Sequence, residues 1–342
     1  MTRFACPGLA CAAMIAAMPV HAIEPYHAPA WLPGGHLQTI YSNIFIRVPD
    51  VDYRRERLEL ADGDFLDFDW VDGAPDAPLV VLFHGLEGSS DSIYARDLMD
   101  TVKQKNWNGV VAHFRGTSGE ANRLPRAYFA GDSTDIQRML EHVKGHRPNV
   151  PLYAVGVSLG GNALLKWLGE SATHAGTWVD RAAAVSAPLD LTAAGNALDQ
   201  GFNRSVYTAR FLVTLKQKAL DKAARFPGTL DAEAIDRATT FREFDTLVTA
   251  RLHGFRDAED YWLKVSSKPW LRSISIPTLV INARNDPFLP ASALPSNGEV
   301  STAVTLEQPD TGGHASFPSG PFPGNLDWIS RRLMQHFDTQ HR

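Results

Sequence analysis

The chain has 342 residues, of which 44% are hydrophobic and 21% charged, and its net charge is −5. This length allows one large domain or a domain with an elaborate insertion, and the lack of a basic excess excludes the charge pattern of a nucleic-acid-binding protein. Both cysteines, Cys6 and Cys11, lie near the amino terminus, so the folded domain contains no disulfide, thiolate metal site or cysteine nucleophile. No run of eighteen apolar residues follows them, which argues against a membrane span.

Residues 1–24 have the features of a targeting segment. Arg3 precedes an alanine-rich apolar stretch, and small residues end it near Ala22. This pattern is typical of a secretory signal peptide. The alternative is an extension from a misassigned start, with Met14 or Met18 as the true beginning. We therefore exclude this segment from the fold, take 25–342 as the folded domain, and expect a cytoplasmic protein, or an exported one if residues 1–22 act as a signal.

The first predicted element is a β-hairpin over residues 54–71. Polar and apolar residues alternate there on both sides of Asp62-Gly63, a pair that favours a turn.

After the hairpin, the sequence pattern changes from alternating polar and apolar residues to short, fully apolar runs separated by segments with helical periodicity. Such runs suit strands that are covered on both faces, as in a parallel sheet. The intervening helices are expected at residues 92–106 and 133–145, the second capped by Asp132 or Ser133 and stopped by Gly145. Strands alternating with helices predict a doubly wound α/β sheet. The predicted strands are the runs "PLVVLFHG", "GVVAHF", "LYAVGVS", "RAAAVSAP" and "PTLVINA".

This alternation stops at about residues 189–270, which are helical in composition and contain no strand-like run. An insertion of this kind in an α/β sheet usually covers the site at the carboxyl edge of the strands. We predict a helical cap.

The motif Gly156-Val157-Ser158-Leu159-Gly160 has the spacing G-x-S-x-G between a predicted strand and a predicted helix. This context predicts a nucleophile elbow, in which a strained turn exposes the serine hydroxyl and the following helix directs free N–H groups at the reacting oxygen. The alternative, a phosphate-binding turn, calls for basic residues or a Lys-Ser/Thr ending, which this stretch lacks.

A serine nucleophile needs a base and an acid that orients the base. In chain order after the serine, Asp286 follows a predicted strand, and His314 lies in a glycine-containing loop before the last helix. The competing acid is Asp190, which follows the preceding strand. We predict Ser158, Asp286 and His314 as the catalytic residues.

The oxyanion hole is predicted from the backbone N–H groups of Leu86 and Leu159. Leu86 follows an early strand in "LFHGLEG", and Leu159 opens the helix after the serine. We expect His84 to shape this loop, and Glu87 either to bind substrate or to be exposed.

Other polar residues are expected to be structural. His142 and His146 have a spacing that can bind a metal on a helix, but the helix is expected to end there and no carboxylate or other third ligand is obvious. We interpret them as a solvated helix end and expect no metal. For Arg115, loop structure and ion pairing are favoured over a contact with substrate.

Together these segments resemble the YheT-like α/β-hydrolases, relatives of eukaryotic α/β-hydrolase-domain esterases and yeast medium-chain ester synthases. The similarity runs from Trp31 to the terminal helix. It implies the α/β-hydrolase fold and a serine carboxylesterase, with Ser158, Asp286 and His314 at the family's triad positions. The segments that carry it are "HGLEGSSDSIYAR", "HFRGTSGEANRLPR", "GVSLGGN", "FREFDTLVTARLHGF", "NARNDPFLP" and "GGHASF".

The sequence therefore predicts hydrolysis of short- to medium-chain carboxylic esters through an acyl-enzyme, with a small-molecule ester as substrate, no cofactor, no nucleic-acid partner and no stable membrane span in the folded domain. The alternatives are acyl transfer to an alcohol and, in a different class, a non-catalytic scaffold. The natural ester and the oligomeric state stay open.

Overall fold

The computed structural model describes residues 25–338, and the predicted signal-like segment at residues 1–24 lies outside them. Within the described part, strands form one sheet in the order β1-β2-β4-β3-β5-β6-β7-β8. Pairing is antiparallel from β1 to β2 and from β2 to β4, and parallel between all other neighbours. The strands are β1 Arg54–Glu59, β2 Phe65–Val71, β3 Leu79–Phe83, β4 Asn108–Ala112, β5 Leu152–Val157, β6 Arg181–Val185, β7 Thr278–Ile281 and β8 Val304–Glu307.

Helices cover both faces of this sheet. Those outside the insertion are α1 Gly35–Phe45, α2 Ile93–Gln104, α3 Ser133–His146, α4 Leu159–Ser171 and α12 Asp327–Phe337. Those between β6 and β7 are α5 Leu191–Leu198, α6 Gly201–Asn203, α7 Ala209–Arg225, α8 Ala232–Arg237, α9 Phe241–Phe244, α10 Arg251–His253 and α11 Ala258–Val265. In the described residues, no helix is both long enough and apolar enough to cross a membrane.

The apolar core lies in two layers, one on each face of the sheet. Along β3, Val81 and Phe83 belong to one layer, while Val80 and Leu82 belong to the other. Successive side chains of a strand point to opposite faces, so a strand that is buried on both faces must be apolar at every position. The fully apolar runs in the sequence reflect this burial, and the predicted α/β-hydrolase sheet is confirmed.

The predicted hairpin forms β1 and β2. Its register pairs Arg57 with Asp67 and Arg55 with Asp69. Each arginine also makes a salt bridge to its partner's buried carboxylate, at 2.8 Å and 2.7 Å. These cross-strand charge pairs fix the register and explain how a strand with so many charged residues joins the sheet.

The segment between β6 and β7 contains helices only and lies over the carboxyl edge of the strands. Two short π-helical turns, Arg204–Thr208 and Asp245–Ala250, interrupt it. Phe241 and Phe244 of this segment join the core layer that also contains Phe83 and Leu159. The insertion therefore shares its apolar interior with the sheet beneath it.

The structure differs from the sequence-based predictions at three points: the end of helix α3, strand β8 and helix α1. Helix α3 continues through Gly145 and ends at His146, and Asp132 caps its start by accepting a hydrogen bond from Asp135 N at 3.2 Å. Strand β8 and helix α1 were not predicted. The half-exposed run "VTLE" of β8 lacks the apolar character of the other parallel strands.

Candidate active site

Ser158 lies on the turn between β5 and α4 with φ 52° and ψ −120°. A positive φ is strained for a residue with a side chain, and it persists only where the surrounding structure enforces it. Here the Ser158 N–H donates to Val185 O of the neighbouring strand at 2.9 Å. This geometry is that of a nucleophile elbow, with the hydroxyl standing clear of the sheet.

The two motif glycines are required by close packing at this turn. A Cβ on Gly160 would lie 2.3 Å from Phe83 O, and one on Gly156 would lie 2.5 Å from Gly160 O. Both distances are far below any real contact with backbone. Helix α4 can lie this close to the ends of β5 and β3 only without side chains at these two positions.

Ser158, His314 and Asp286 form one hydrogen-bonded chain. Ser158 Oγ lies 2.9 Å from His314 Nε2, and His314 Nδ1 lies 2.8 Å from Asp286 Oδ2. A carboxylate can only accept, so Nδ1 carries the proton and Nε2 is left to accept one from the serine. The structure thus brings together the three residues predicted as catalytic.

Asp190, the competing acid, occupies a different place. Its carboxylate caps the start of α5 by accepting a hydrogen bond from Ala193 N at 3.0 Å. The Asp286 carboxylate accepts from Phe288 N at 2.8 Å as well as facing the imidazole.

Helix α1 holds two loops in place, the one that carries Asp286 and the one that carries His314. Gln38 Oε1 accepts hydrogen bonds from Asn285 Nδ2 and from Gly312 N, both at 3.0 Å. Thr39 Oγ1 accepts from His314 N at 2.9 Å. Sequence reasoning missed these positioning residues. The stretch "WLPGGHLQTI" carried part of the family resemblance, but their partners lie some 250 or more residues away.

The loop after β3 lies directly beside the serine. A Cβ on Gly85 would lie 3.2 Å from Ser158 Cβ. The Gly85 N–H donates to Tyr94 Oη at 2.8 Å and that of Glu87 to Tyr128 Oη at 3.0 Å. Between them, the N–H of Leu86 donates to no group of residues 25–338, and Leu86, Leu159, Ser158 and His314 all line one cavity. The two predicted oxyanion donors therefore border the same space as the serine.

The side chain of His84 packs beneath the loop after β3 and contacts its backbone. It is fully buried, with Nδ1 2.8 Å from Gly85 O and Nε2 2.9 Å from Thr117 Oγ1. Burial lowers the pKa of its imidazole to about 3, so His84 is neutral at physiological pH. These contacts agree with the expected structural role.

The cavity above Ser158 has an apolar roof and a charged end. Glu87 lies at that end, where its carboxylate accepts from Tyr128 Oη at 2.8 Å and pairs with Lys218 of α7 at 2.9 Å. Glu87 thus links the loop after β3 to the insertion. The roof is built by apolar side chains of the insertion, among them Phe211, Leu215, Phe241, Phe244 and Val248.

Arg115 lies at the edge of this cavity but its guanidinium is fully engaged. The buried side chain contacts the carboxylates of Asp62, Asp64 and Asp135 at 3.0, 2.9 and 2.6 Å. These carboxylates raise the pKa of Arg115 against the opposing effect of burial. As expected, the residue forms ion pairs that fix the loop.

A serine on a strand-to-helix turn, covered by a helical insertion and followed by an acid and a histidine, defines the class of α/β hydrolases. The family described as "alpha/beta hydrolase fold" matches residues 78–321. The chain therefore belongs to the α/β-hydrolase family.

The resemblance to YheT-like proteins is also confirmed. The chain is 39% identical over 309 residues to the Escherichia coli protein named "Putative esterase YheT", covering 89% of this chain and 90% of that one. It is 29% identical over 322 residues to human "Phospholipase ABHD3", covering 91% and 78%. It is 28% identical over 285 residues to the Saccharomyces cerevisiae "Medium-chain fatty acid ethyl ester synthase/esterase 2", covering 77% and 62%.

Solved structures agree on the fold. The esterase Pf2001 of Pyrococcus furiosus superposes with a TM-score of 0.55 at 17% identity, covering 85% of this chain and 97% of that one. Est1E of Butyrivibrio proteoclasticus gives a TM-score of 0.53 at 12% identity, covering 84% and 98%.

Proposed function

We propose that the protein is a serine esterase that cleaves carboxylic esters through an acyl-enzyme, with Ser158 as nucleophile, His314 as base and Asp286 as the acid that orients it. The observation that carries this proposal is the continuous hydrogen-bonded chain from Ser158 Oγ through the imidazole to the Asp286 carboxylate. A hydroxyl is a weak nucleophile without such a base.

In the first half of the reaction, Ser158 Oγ attacks the ester carbonyl while its proton passes to His314 Nε2. Asp286 holds the imidazole by its Nδ1–H and stabilises the imidazolium that forms. Negative charge develops on the carbonyl oxygen, which the N–H groups of Leu86 and Leu159 would bind. Loss of one such donor typically lowers the rate by about 100- to 1000-fold.

When the tetrahedral intermediate collapses, the C–O bond to the alcohol breaks and His314 Nε2 returns the proton to the leaving oxygen. Water then takes the place of the alcohol, His314 removes its proton, and attack on the acyl carbon releases the acid and restores the serine. Every proton in this cycle is carried by His314, so no metal or cofactor is required.

We infer that the acyl chain lies under the apolar roof of the cavity. Phe211, Leu215, Phe241 and Phe244 line the space above Ser158. Burying each CH₂ group there contributes about 0.8 kcal/mol. Short- to medium-chain acyl esters are therefore the proposed substrates.

The test uses acyl esters of graded chain length together with a fluorophosphonate probe. Wild type is expected to hydrolyse the esters and to be labelled, whereas Ser158→Ala does neither. Ser205→Ala removes an exposed hydroxyl on the insertion and should behave as wild type. Full activity and labelling in Ser158→Ala would rule out this mechanism, and a wild type without either would favour a non-catalytic scaffold.

Acyl transfer to an alcohol is the second candidate, since one relative is named an ester synthase as well as an esterase. Both reactions share the acyl-enzyme and differ only in whether water or an alcohol accepts the acyl group. Product analysis in the presence of ethanol separates them: an ethyl ester as main product supports transfer, and free acid supports hydrolysis.

A further inference from the structure

Three side chains with metal-ligating atoms converge at the β1 edge of the sheet, away from Ser158. His142 and His146 lie one turn apart at the end of α3, and Glu56 lies on the edge strand β1. The Nε2 atoms of both histidines lie 2.9 Å from Glu56 Oε1. All three ligand atoms lie within 4.8 Å of one another. The third ligand that the neighbouring sequence lacks thus comes from 90 residues before His146.

This group is separate from the candidate active site. Helix α3 ends just before β5 begins, so its last turn lies at the amino ends of the parallel strands. Ser158 follows the carboxyl end of β5. Strands β2, β4 and β3 lie between Glu56 on β1 and the β5 strand that leads to Ser158, and no step of the proposed hydrolysis involves Glu56, His142 or His146.

The sheet register brings the carboxylate under the helix. Glu56 is the partner of Phe68 on β2, and alternate positions of this hairpin share the face that α3 covers. The His142 ring packs on Phe68 with centroids 4.6 Å apart, and the His146 ring packs on Trp70 at 5.1 Å. The imidazole rings are thus oriented by packing before any ligand arrives.

Within residues 25–338, one polar atom of this group has no hydrogen-bond partner, while His146 Nε2 is hydrogen-bonded to Glu56 Oε1. His142 Nε2 is buried and has no hydrogen-bond partner among the described residues, although it lies close to Glu56 Oε1. The other carboxylate oxygen, Oε2, lies 3.6 Å from the Arg54 guanidinium, which leaves Oε1 for the histidines. Two imidazole nitrogens directed at one carboxylate oxygen form a place for a cation.

We propose that Glu56, His142 and His146 bind a divalent transition-metal ion, and that Zn²⁺ matches this donor set best. Two imidazole nitrogens and a carboxylate oxygen are zinc ligands, whereas Mg²⁺ and Ca²⁺ prefer oxygen alone. Tetrahedral zinc with bonds of about 2.0–2.2 Å separates its ligand atoms by about 3.4 Å. The present separations of the ligand atoms, 2.9 Å from Glu56 Oε1 to each nitrogen and no more than 4.8 Å overall, bracket this spacing, and water would complete the coordination.

A metal at this position would join the edge strand β1 to helix α3. Because the metal binds the folded arrangement only, binding free energy adds to the stability of the fold. The site is therefore structural, and its occupancy should not alter ester hydrolysis.

The experiment uses tag-free full-length protein stripped with a chelator and dialysed against micromolar Zn²⁺. Wild type should retain about one equivalent and show a higher melting temperature with Zn²⁺ than without it. Co²⁺ in its place should give the visible absorption of a four-coordinate site. In His142→Ala/His146→Ala, Zn²⁺ affinity should fall at least ten-fold and the thermal shift should vanish, with fluorophosphonate labelling at the wild-type level as evidence of folding.

His174→Ala, which removes an exposed histidine elsewhere, is the control and should bind Zn²⁺ as wild type does. If the double variant fails to fold, Glu56→Gln replaces it, with the same ten-fold loss expected. The proposal is overturned if wild type retains no stoichiometric Zn²⁺, if the folded double variant or Glu56→Gln binds as tightly as wild type, or if His174→Ala loses as much affinity as they do.

Discussion

The ring of Phe288 stacks on the imidazole of His314, with centroids 4.0 Å apart and an interplanar angle of 26°. The backbone N–H of the same residue donates to Asp286 Oδ1 at 2.8 Å. Phe288 therefore contacts the Asp286 carboxylate through its backbone and the His314 imidazole through its side chain. Sequence reasoning did not single it out, although it lies two residues after the predicted acid.

Replacing Phe288 should lower kcat. Phe288→Ala keeps the backbone hydrogen bond to Asp286 but removes the flat surface that holds the imidazole, and a displacement of about 1 Å at a catalytic group can lower the rate about 100-fold. We expect a ten- to hundred-fold fall in kcat with ester substrates. Phe322→Ala, at an exposed ring, should leave kcat unchanged. A folded Phe288→Ala with wild-type kcat would contradict the positioning role.

Asp286 and Asp190 can be distinguished by the same conservative change. Asp286→Asn lets the amide donate to Nδ1, so His314 adopts the wrong tautomer, and kcat should fall about 10⁴-fold. Asp190→Asn keeps a good helix cap and should stay within about 0.5 kcal/mol of wild-type stability with full activity. Steady-state kinetics and chemical denaturation measure both. Loss of activity in Asp190→Asn alone would reverse the assignment of the acid.

The close approach of α4 to the end of β3 should tolerate no side chain at Gly160. Its added Cβ would lie 2.3 Å from Phe83 O and 2.5 Å from His84 O, so Gly160→Ala forces the helix away from this end of β3. We expect a loss of about 2 kcal/mol or more in the free energy of unfolding, together with loss of labelling at Ser158. Gly145→Ala in α3 meets nothing within 4 Å and should gain about 0.5 kcal/mol. Equal stability of the two variants would contradict the close approach.

Asp97 on α2 should make stability depend on pH. Burial raises the pKa of its carboxyl to about 6, while Ser330 of α12 donates to it. In the unfolded chain the pKa is about 3.9, so between about pH 4 and 6 the folded protein holds the extra proton. The free energy of unfolding therefore falls as the pH rises through this window.

Asp97→Asn removes this effect. The variant should be more stable than wild type by about 1–3 kcal/mol at pH 7.5, and the difference should shrink toward zero near pH 4. Urea denaturation at several pH values measures it. Asp100→Asn, one turn further along α2, is the control and should show no such trend. A pH-independent difference for Asp97→Asn would contradict the raised pKa.

Local sequence patterns were sufficient to predict strands β1 to β7 of the sheet and the three residues of the hydrogen-bonded chain. Ser158 lies in a motif whose glycines are required by packing, and Asp286 and His314 occupy loops at the carboxyl edge, where parallel strands place their sites. The contacts that hold those residues were not predictable in this way. Gln38 and Glu56 act on partners that are distant in the chain, and only the folded topology brings them there.

The bond from His314 N to Thr39 Oγ1 closes a loop of 275 residues. Most of the chain must therefore be synthesised before His314 can make this contact with α1. Contacts of such long range form late in folding. A chain truncated before His314 would lack the residue proposed as the base. Hydrolytic activity should thus appear only after the loop that carries His314 has folded against α1.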